Sequence, residues 1–352
     1  MLFVTNHAPP ARVRPFQLLH EREGVVFALF GGRTHHAAAA AEAGPADLPF
    51  PHRRVAQRDV RALAASGDFR AVVCGTAGRV ALPGAYGGAR RAGVPFVLWA
   101  SLWAQPRSLA GVAGALPLRR IYRGADAVAT YGPHVSEYVS ARGARNVIVA
   151  PQAVDNDFWG TPVEGTRYAE FQSVFSGRLD REKGHRALIE AWQLAGLDAP
   201  GATLVLVGPG PERARAGATR TVRFVGPATR TEIRNFYGGG DVLVVPSLRT
   251  RTFREPWGLV VNEAMNQGLP VIATDAVGAT AGDLVRHERN GLIVPAGDAE
   301  ALARALRRLH DDRGLRARLG SQAREDVRAY TPAAWADGVS AALDTACRAR
   351  DA

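Results

Sequence analysis

Residues 175–192 read FSGRLDREKGHRALIEAW, and this stretch decides the fold. Its apolar start predicts the end of a strand, Gly177 predicts a turn, and residues 181–196 have the periodicity of a helix. A strand, a glycine turn and a helix form the repeating unit of parallel sheets. Because ligands of such sheets bind beyond the carboxyl ends of the strands, we expect Arg178 and Lys183 to face a ligand.

The same alternation of short apolar runs and helical stretches continues along all 352 residues. A chain of this length favours two domains. The stretch DNDFWGTPVEGT at 155–166 has turn formers and no periodicity, which indicates a boundary. We predict an α/β protein with two Rossmann-like domains, 1–160 and 161–331. A final helix over 332–350 either caps the second domain or crosses back to the first, and we prefer the second alternative.

Lys183 is the exception among 44 Lys and Arg residues, since all the others are arginine. On a solvated surface either cation serves, but a planar guanidinium is a poor substitute for a compact ammonium with three donors. We therefore interpret Lys183 as functional rather than as a chance survivor. With Arg178 near a helix start, it would bind an anion. The alternative is an exposed ion pair with Asp180 or Glu182, worth less than about 1 kcal/mol.

A second informative stretch is REPWGLVVNEAMNQGLPVIATDAVGA, residues 254–279. Glu255 precedes a proline and is expected in an extended or turn conformation. Gly258 is expected to open a helix that places Glu263 in its second turn. Carboxylates accept hydrogen bonds from the hydroxyls of a ribose or a sugar ring, and amides at a helix start bind phosphate. The alternative, a solvated Glu263, is disfavoured by its mostly apolar neighbours.

These two stretches resemble glycosyltransferase family 4, whose retaining enzymes have the GT-B architecture of two Rossmann-like lobes facing each other across a cleft. The resemblance covers about residues 125–310. The matching elements are Gly177-Arg178-Leu179, Glu182-Lys183-Gly184, Glu255 with Glu263, the glycine turn Val207-Gly208-Pro209-Gly210-Pro211, Asn290-Gly291-Leu292 and, more weakly, Gln152-Ala153-Val154-Asp155.

The resemblance implies transfer of a sugar from a donor linked to UDP, GDP, ADP or dTDP. It implies that Arg178 and Lys183 bind the diphosphate, that Glu263 holds the ribose and that Glu255 holds the transferred sugar. Fixed cations would stabilise the charge on the leaving oxygen, and no cofactor or metal ion is predicted. Catalytic roles thus fall on Arg178, Lys183 and Glu255. Further donor contacts are predicted for Gly177, Gly208, Val225, Gly258 and Leu259.

The first domain departs from the family pattern. Members usually have a glycine-rich loop after the first strand, where this chain has NHAPPAR at 6–12. Many members also have a histidine after the fourth strand, at a place that falls near Ser101 in this chain. The candidates on the acceptor side are His7, Ser101 and Trp103, although a lone histidine is more often structural and Trp103 fits a core equally well. The acceptor is a sugar, a lipid-linked molecule or another small molecule.

The same departures keep two rival functions open, a catalytically silent nucleotide-sugar-binding subunit and a GT-B sugar-nucleotide epimerase. A dehydrogenase is disfavoured, because Gly208-Pro209-Gly210 lacks the third glycine of a dinucleotide-binding turn.

Residues 1–160 are the basic half of the chain, with 18 basic and 10 acidic side chains. Such a surface suits an anionic acceptor or anionic lipid, or it reflects only the arginine-rich composition; no nucleic acid is expected. Residues 108–123, SLAGVAGALPLRRIYR, suggest an interfacial helix on an anionic membrane, with a basic core helix as the alternative. No spanning stretch, signal peptide or disulfide framework is indicated. We predict a cytoplasmic protein, with peripheral attachment at the inner membrane face as an option.

Overall fold

The computed structural model describes residues 1–31, 48–105, 107–210 and 220–351. It divides into two compact units, Met1–Ala153 with Tyr330–Ala352, and Val154–Ala329. Each unit is built on a parallel sheet flanked by helices.

Within the described ranges, the strands are β1 (Leu2–Thr5), β2 (Val26–Leu29), β3 (His52–Arg54), β4 (Val72–Gly75), β5 (Phe96–Ala100), β6 (Ala127–Thr130), β7 (Val147–Val149), β8 (Phe171–Ser176), β9 (Ala202–Val207), β10 (Val222–Gly226), β11 (Val242–Val245), β12 (Val271–Thr274) and β13 (Gly291–Val294).

The α-helices of the same ranges are α1 (Pro10–Glu23), α2 (Val60–Ala64), α3 (Ala81–Ala92), α4 (Leu109–Gly124), α5 (Pro133–Ser140), α6 (Asn156–Gly160), α7 (His185–Leu194), α8 (Arg230–Gly238), α9 (Val260–Asn266), α10 (Gly278–Ala281), α11 (Ala299–Asp311), α12 (Arg313–Asp326) and α13 (Pro332–Asp351).

The first unit is organised by a sheet whose described strands run in the order β3-β2-β1-β4-β5-β6-β7, all parallel. Strands β1, β4, β5 and β6 are buried along their whole length, as expected for parallel strands covered on both faces. One face carries an aromatic stack in which Phe16 lies 4.6 Å from Phe27 and 5.6 Å from Trp335. This stack joins α1 and α13 to the sheet.

Helix α13 comes last in the chain and packs in the first unit, against α1, β6 and β7. Trp335 and Leu343 on this helix are fully buried. Arg22 on α1 is ion-paired with Asp337 on α13. The first unit is therefore built from both ends of the sequence.

The second unit has a sheet whose described strands run in the order β10-β9-β8-β11-β12-β13. The chain moves from β8 outward to β9 and β10, then returns to pair β11 with the other side of β8. The connections thus diverge between β8 and β11. This position is the topological switch point, where open parallel sheets bind ligands.

The start of the helix that carries Glu263 differs from the sequence prediction. The helix expected from Gly258 begins at Val260, because Gly258 has φ +91°, outside the helical region. Glu263 therefore lies in the first turn of α9, and its predicted position in the second turn is wrong. In the described part of the chain, no helix has the length and apolar character needed to cross a membrane.

Candidate active site

The loops after β8 and β9 are in direct backbone contact at the carboxyl edge of the second sheet. The Gly177 amide donates to the Val207 carbonyl at 2.9 Å. Gly208 has φ +138°, and a Cβ atom there would lie 2.0 Å from the Gly177 carbonyl oxygen. Only glycine fits this approach, so the predicted glycine positions bring two strand ends together. Pro211, the last residue of the predicted glycine turn, lies outside the described residues.

Lys183 is held at this edge by a short turn of 3-10 helix, Arg181–Lys183. Gly184 follows with φ +75° and packs on Pro246, whose carbonyl oxygen would be 1.9 Å from an added Cβ atom. The Leu248 amide donates to the Glu182 carbonyl at 2.8 Å. These contacts join the loop after β8 to the loop after β11, on either side of the switch point.

As a result, Lys183 forms an ion pair with Glu255, 72 residues further along the chain. Both side chains are mostly buried, with 19% and 11% exposed. The Ser247 hydroxyl donates to the same carboxylate at 3.2 Å, and the Lys183 ammonium lies 5.4 Å from the centre of the Phe253 ring. A buried pair of this kind depends on both partners, because removing one leaves an uncompensated charge.

Arg178 lies in the same loop after β8 as Lys183, and half of its side chain is exposed. Its guanidinium is 2.8 Å from Asp180 and 3.9 Å from Glu182. These are the acidic partners that the sequence analysis considered for Lys183. Exposed ion pairs contribute little free energy, about 0–1 kcal/mol, so this guanidinium can exchange its partners for an anionic ligand.

Glu263 is tied to the end of β8 by Tyr237. The Tyr237 hydroxyl donates to Glu263 at 3.2 Å and also forms a hydrogen bond with Ser176, the last residue of β8. Burial of the carboxylate raises the pKa of Glu263 to about 7, while the Tyr237 hydrogen bond and the charge of Arg230 lower it in part. The Glu263 carboxylate therefore takes up its proton at a higher pH than an exposed glutamate does.

We expect the Glu263→Gln substitution to stabilise the protein at pH 8 and to have little effect at pH 5. The raised pKa means that the folded chain binds this proton more tightly than the unfolded chain, so the carboxyl's contribution to stability falls as pH rises from about 4.5 to 7. Glutamine keeps the acceptor for Tyr237 without the charge. Melting temperatures of both proteins across this range measure the effect, and a difference that does not vary with pH would contradict it.

The remaining predicted donor contacts also lie at this edge. Gly258 and Leu259 precede α9 and are half-buried, and Val225 lies at an irregular register of β10. The loop that carries Glu255 is fixed by Gly278, whose amide donates to the Glu255 carbonyl at 3.0 Å. The roles of all these residues toward a ligand stay predictions.

The acceptor-side candidates lie at the carboxyl edge of the first sheet. The Ser101 hydroxyl is 2.8 Å from that of Thr76, and Trp103 packs edge-on against His134 at 5.3 Å. His7 is half-buried in the loop after β1. Their part in binding an acceptor stays a prediction.

Sequence reasoning missed Tyr237, Ser247 and Phe253, which contact the predicted carboxylates and the lysine. Ser247 had a signal, since it follows a buried strand at the edge where ligands bind. Tyr237 had none, because one aromatic residue on an amphipathic helix is normally interpreted as core. In the described part, no three His, Cys, Asp or Glu side chains lie close enough together to hold a metal ion.

Similarity to solved structures extends over nearly the whole chain. Anabaena Alr3699/HepE in complex with UDP aligns with a TM-score of 0.77 and 20% identity, over 97% of this chain and 99% of that one. Sucrose-phosphate synthase from Thermosynechococcus elongatus aligns with a TM-score of 0.73 and 21% identity, over 96% of each chain. The fold is that of the GT-B proteins, and the predicted fold class is confirmed.

Residues 163–326 match the family model of glycosyl transferases group 1. The lipopolysaccharide core biosynthesis glycosyltransferase LpsE of Rhizobium meliloti is 34% identical over 230 residues, 61% of this chain and 63% of LpsE. A D-inositol 3-phosphate glycosyltransferase of Streptomyces bingchenggensis is 36% identical over 139 residues, 38% of this chain and 28% of that protein. The chain thus spans less than two thirds of the length of these relatives. The family match lies in the second unit, and the resemblance to family 4 is confirmed there.

Proposed function

We propose that this protein transfers a sugar from a nucleoside diphosphate sugar to an acceptor, with retention of anomeric configuration. The observation that carries the proposal is the buried pair of Lys183 and Glu255 at the switch point, with the exposed Arg178 in the same loop after β8. Buried ionic side chains at a ligand-binding edge are typical of functional sites.

In this proposal the two cations act on the departing diphosphate. Breaking the bond between sugar and phosphate places negative charge on the leaving oxygen. Lys183 is held in place by Glu255 and Ser247, so it stabilises that charge without reorganisation. Arg178 exchanges its exposed carboxylate partners for the diphosphate. Retention follows from the family and is part of the proposal.

The carboxylates bind the two ends of the donor. Glu255 accepts hydrogen bonds from hydroxyls of the transferred sugar while it holds Lys183. Glu263 accepts from the ribose, next to Tyr237. Since its pKa is about 7, donor binding that needs the ionised carboxylate strengthens as pH rises through neutrality.

Two further observations support the substrates and the location. Alr3699/HepE has been solved with UDP and with UDP-glucose, which supports a nucleoside diphosphate sugar as the donor here. On α4, Leu116 is 77% exposed, and Arg119, Arg120 and Arg123 on the same helix are exposed. This combination supports peripheral contact with an anionic membrane.

The test is a panel of UDP-, GDP-, ADP- and dTDP-sugars. We expect one donor to raise the melting temperature, since a ligand at 100 times its dissociation constant stabilises by roughly 2.7 kcal/mol. The same donor should release nucleoside diphosphate on incubation. Binding without consumption would indicate a silent subunit, and no shift with any donor would contradict the donor site itself.

A further inference from the structure

A buried arginine in the first unit has no anionic partner among the residues that the structure describes. Arg12 lies in the first turn of α1 and is only 5% exposed. Its Nη2 donates to the Gln152 side-chain oxygen, and its guanidinium lies 5.2 Å from the Trp99 ring and 5.9 Å from the Tyr131 ring. Among the described residues no carboxylate pairs with it. A buried cation normally requires such a partner, because removing it from water costs several kcal/mol.

Besides the Gln152 oxygen, the neighbours of Arg12 add further donors. Its Nη1, the indole N–H of Trp99 and the indole N–H of Trp335 are buried, and none has an acceptor within the described ranges. Trp335 lies edge-on to Trp99 at 5.6 Å, so the three donors belong to one cluster. Buried donors in folded proteins are nearly always paired. This cluster is therefore rich in donors and short of acceptors.

Two helix starts make the same region more positive. Arg12 is in the first turn of the 14-residue α1 and Trp335 is in the first turn of the 20-residue α13. Neither first turn contains an acidic residue. A helix start carries a partial positive charge, so both helices favour an anion here. Burial raises the pKa of Tyr131, which is therefore neutral and supplies no negative charge.

The cluster lies where a ligand can be expected. Trp99 is near the end of β5, Tyr131 and Gln152 follow β6 and β7, and all belong to the carboxyl edge of the first sheet. Tyr131, which packs on the guanidinium, is only half-buried. Part of Tyr131 is therefore exposed to solvent.

We propose that Arg12, with Trp99, Tyr131, Gln152 and Trp335, forms a binding site for an oxyanion, the phosphate or carboxylate group of the acceptor. Its assignment to the acceptor rests on the proposed transferase function, whereas the oxyanion site itself does not. The acceptor is then an anionic molecule. A planar guanidinium suits both groups, because its paired donors match two oxygens.

The experiment measures the melting temperature of the full chain in sodium phosphate and in sodium acetate, against sodium chloride at equal ionic strength. We compare the wild type with Arg12→Met, which removes the charge at similar length, and with Arg14→Met, a half-exposed control on the same helix. We expect phosphate or acetate to stabilise the wild type and Arg14→Met, and the shift to vanish in Arg12→Met. No oxyanion-specific shift in the wild type, or an unchanged shift in Arg12→Met, overturns the site.

If Arg12→Met does not fold, a second variant tests the same site. Arg12→Lys keeps the charge but loses the paired donors, so its shift should fall below half of the wild-type value, and a full shift overturns the proposal. Glucose 6-phosphate and glucuronate are then compared with phosphate and acetate at equal concentration. A larger shift with the sugar derivative supports an acceptor group, and an equal or smaller one overturns that assignment.

Nucleotide-sugar shifts are recorded on the same proteins, so that the two proposals are tested separately. Arg12→Met should keep the shift with the donor. If no donor stabilises even the wild type, the proposed function fails while the oxyanion result still stands by itself.

Discussion

Replacing Lys183 with alanine is expected to lower kcat/KM for sugar transfer by at least about a hundredfold, the usual effect of losing one group that stabilises a developing anion. The substitution removes the ammonium from the departing diphosphate. It also leaves the buried carboxylate of Glu255 without the Lys183 cation. We expect the donor-induced thermal shift to be lost as well. Initial rates of nucleoside diphosphate release at several donor concentrations provide the measurement.

Two control variants make this result specific. Arg181→Ala removes an exposed cation from the same turn and should keep most of the activity. Lys183→Arg keeps the charge, but its planar fork replaces a compact ammonium packed over Phe253, so it should rescue little. A Lys183→Ala protein that turns over at the wild-type rate would exclude the proposed role of this residue.

The Gly184→Ala substitution is expected to destabilise the second unit by about 2–4 kcal/mol, the combined cost of a left-handed backbone conformation and of overpacking. The added Cβ atom would lie 1.9 Å from the Pro246 carbonyl oxygen, and that oxygen belongs to rigid backbone after β11. Since this contact brings Lys183 to Glu255, donor binding should weaken too. Urea denaturation followed by tryptophan fluorescence gives the change in stability.

Gly201 offers a matched control, because its φ of +97° is similarly left-handed but an added Cβ atom there meets nothing within 4 Å. Gly201→Ala should therefore show only the conformational cost, about 1 kcal/mol. Equal losses in the two variants would show that the close contact with Pro246 is unimportant.

Much of the fold could be predicted because parallel strands are buried on both faces and form continuous apolar runs. Strands β1, β6 and β11 are runs of this kind, buried at every residue. Strand β3 gives no such signal, because His52–Arg54 is polar and mostly exposed and pairs with β2 through its backbone. Helix α1 begins at Pro10, since proline is favoured in the first turn.

The sequence identified which residues belong to the site, but it did not identify the contacts that these residues make with each other. Lys183 was identified by its rarity, and Glu255 and Glu263 by their spacing beside a glycine. The side chains that contact these three residues could not be identified from rarity or spacing. The Lys183–Glu255 pair depends on two loops that meet only in the folded sheet, and Tyr237 reaches Glu263 from a different helix.

Arg12, by contrast, could not be identified from the sequence at all. In the sequence it belongs to a proline-containing loop in a protein with many arginines, so nothing distinguishes it from a surface cation. Only the tertiary arrangement of α1, α13 and the strand ends buries it.

The place of α13 in the first unit sets the order in which the chain can mature during translation. Residues 154–329 form a continuous segment, so the second unit can fold as soon as it leaves the ribosome. The first unit is synthesised earlier but lacks Trp335 and the rest of α13 until residues 332–351 have been translated. A chain that stopped before residue 330 would expose the aromatic face of that sheet to chaperones, although it would contain every residue of the second unit.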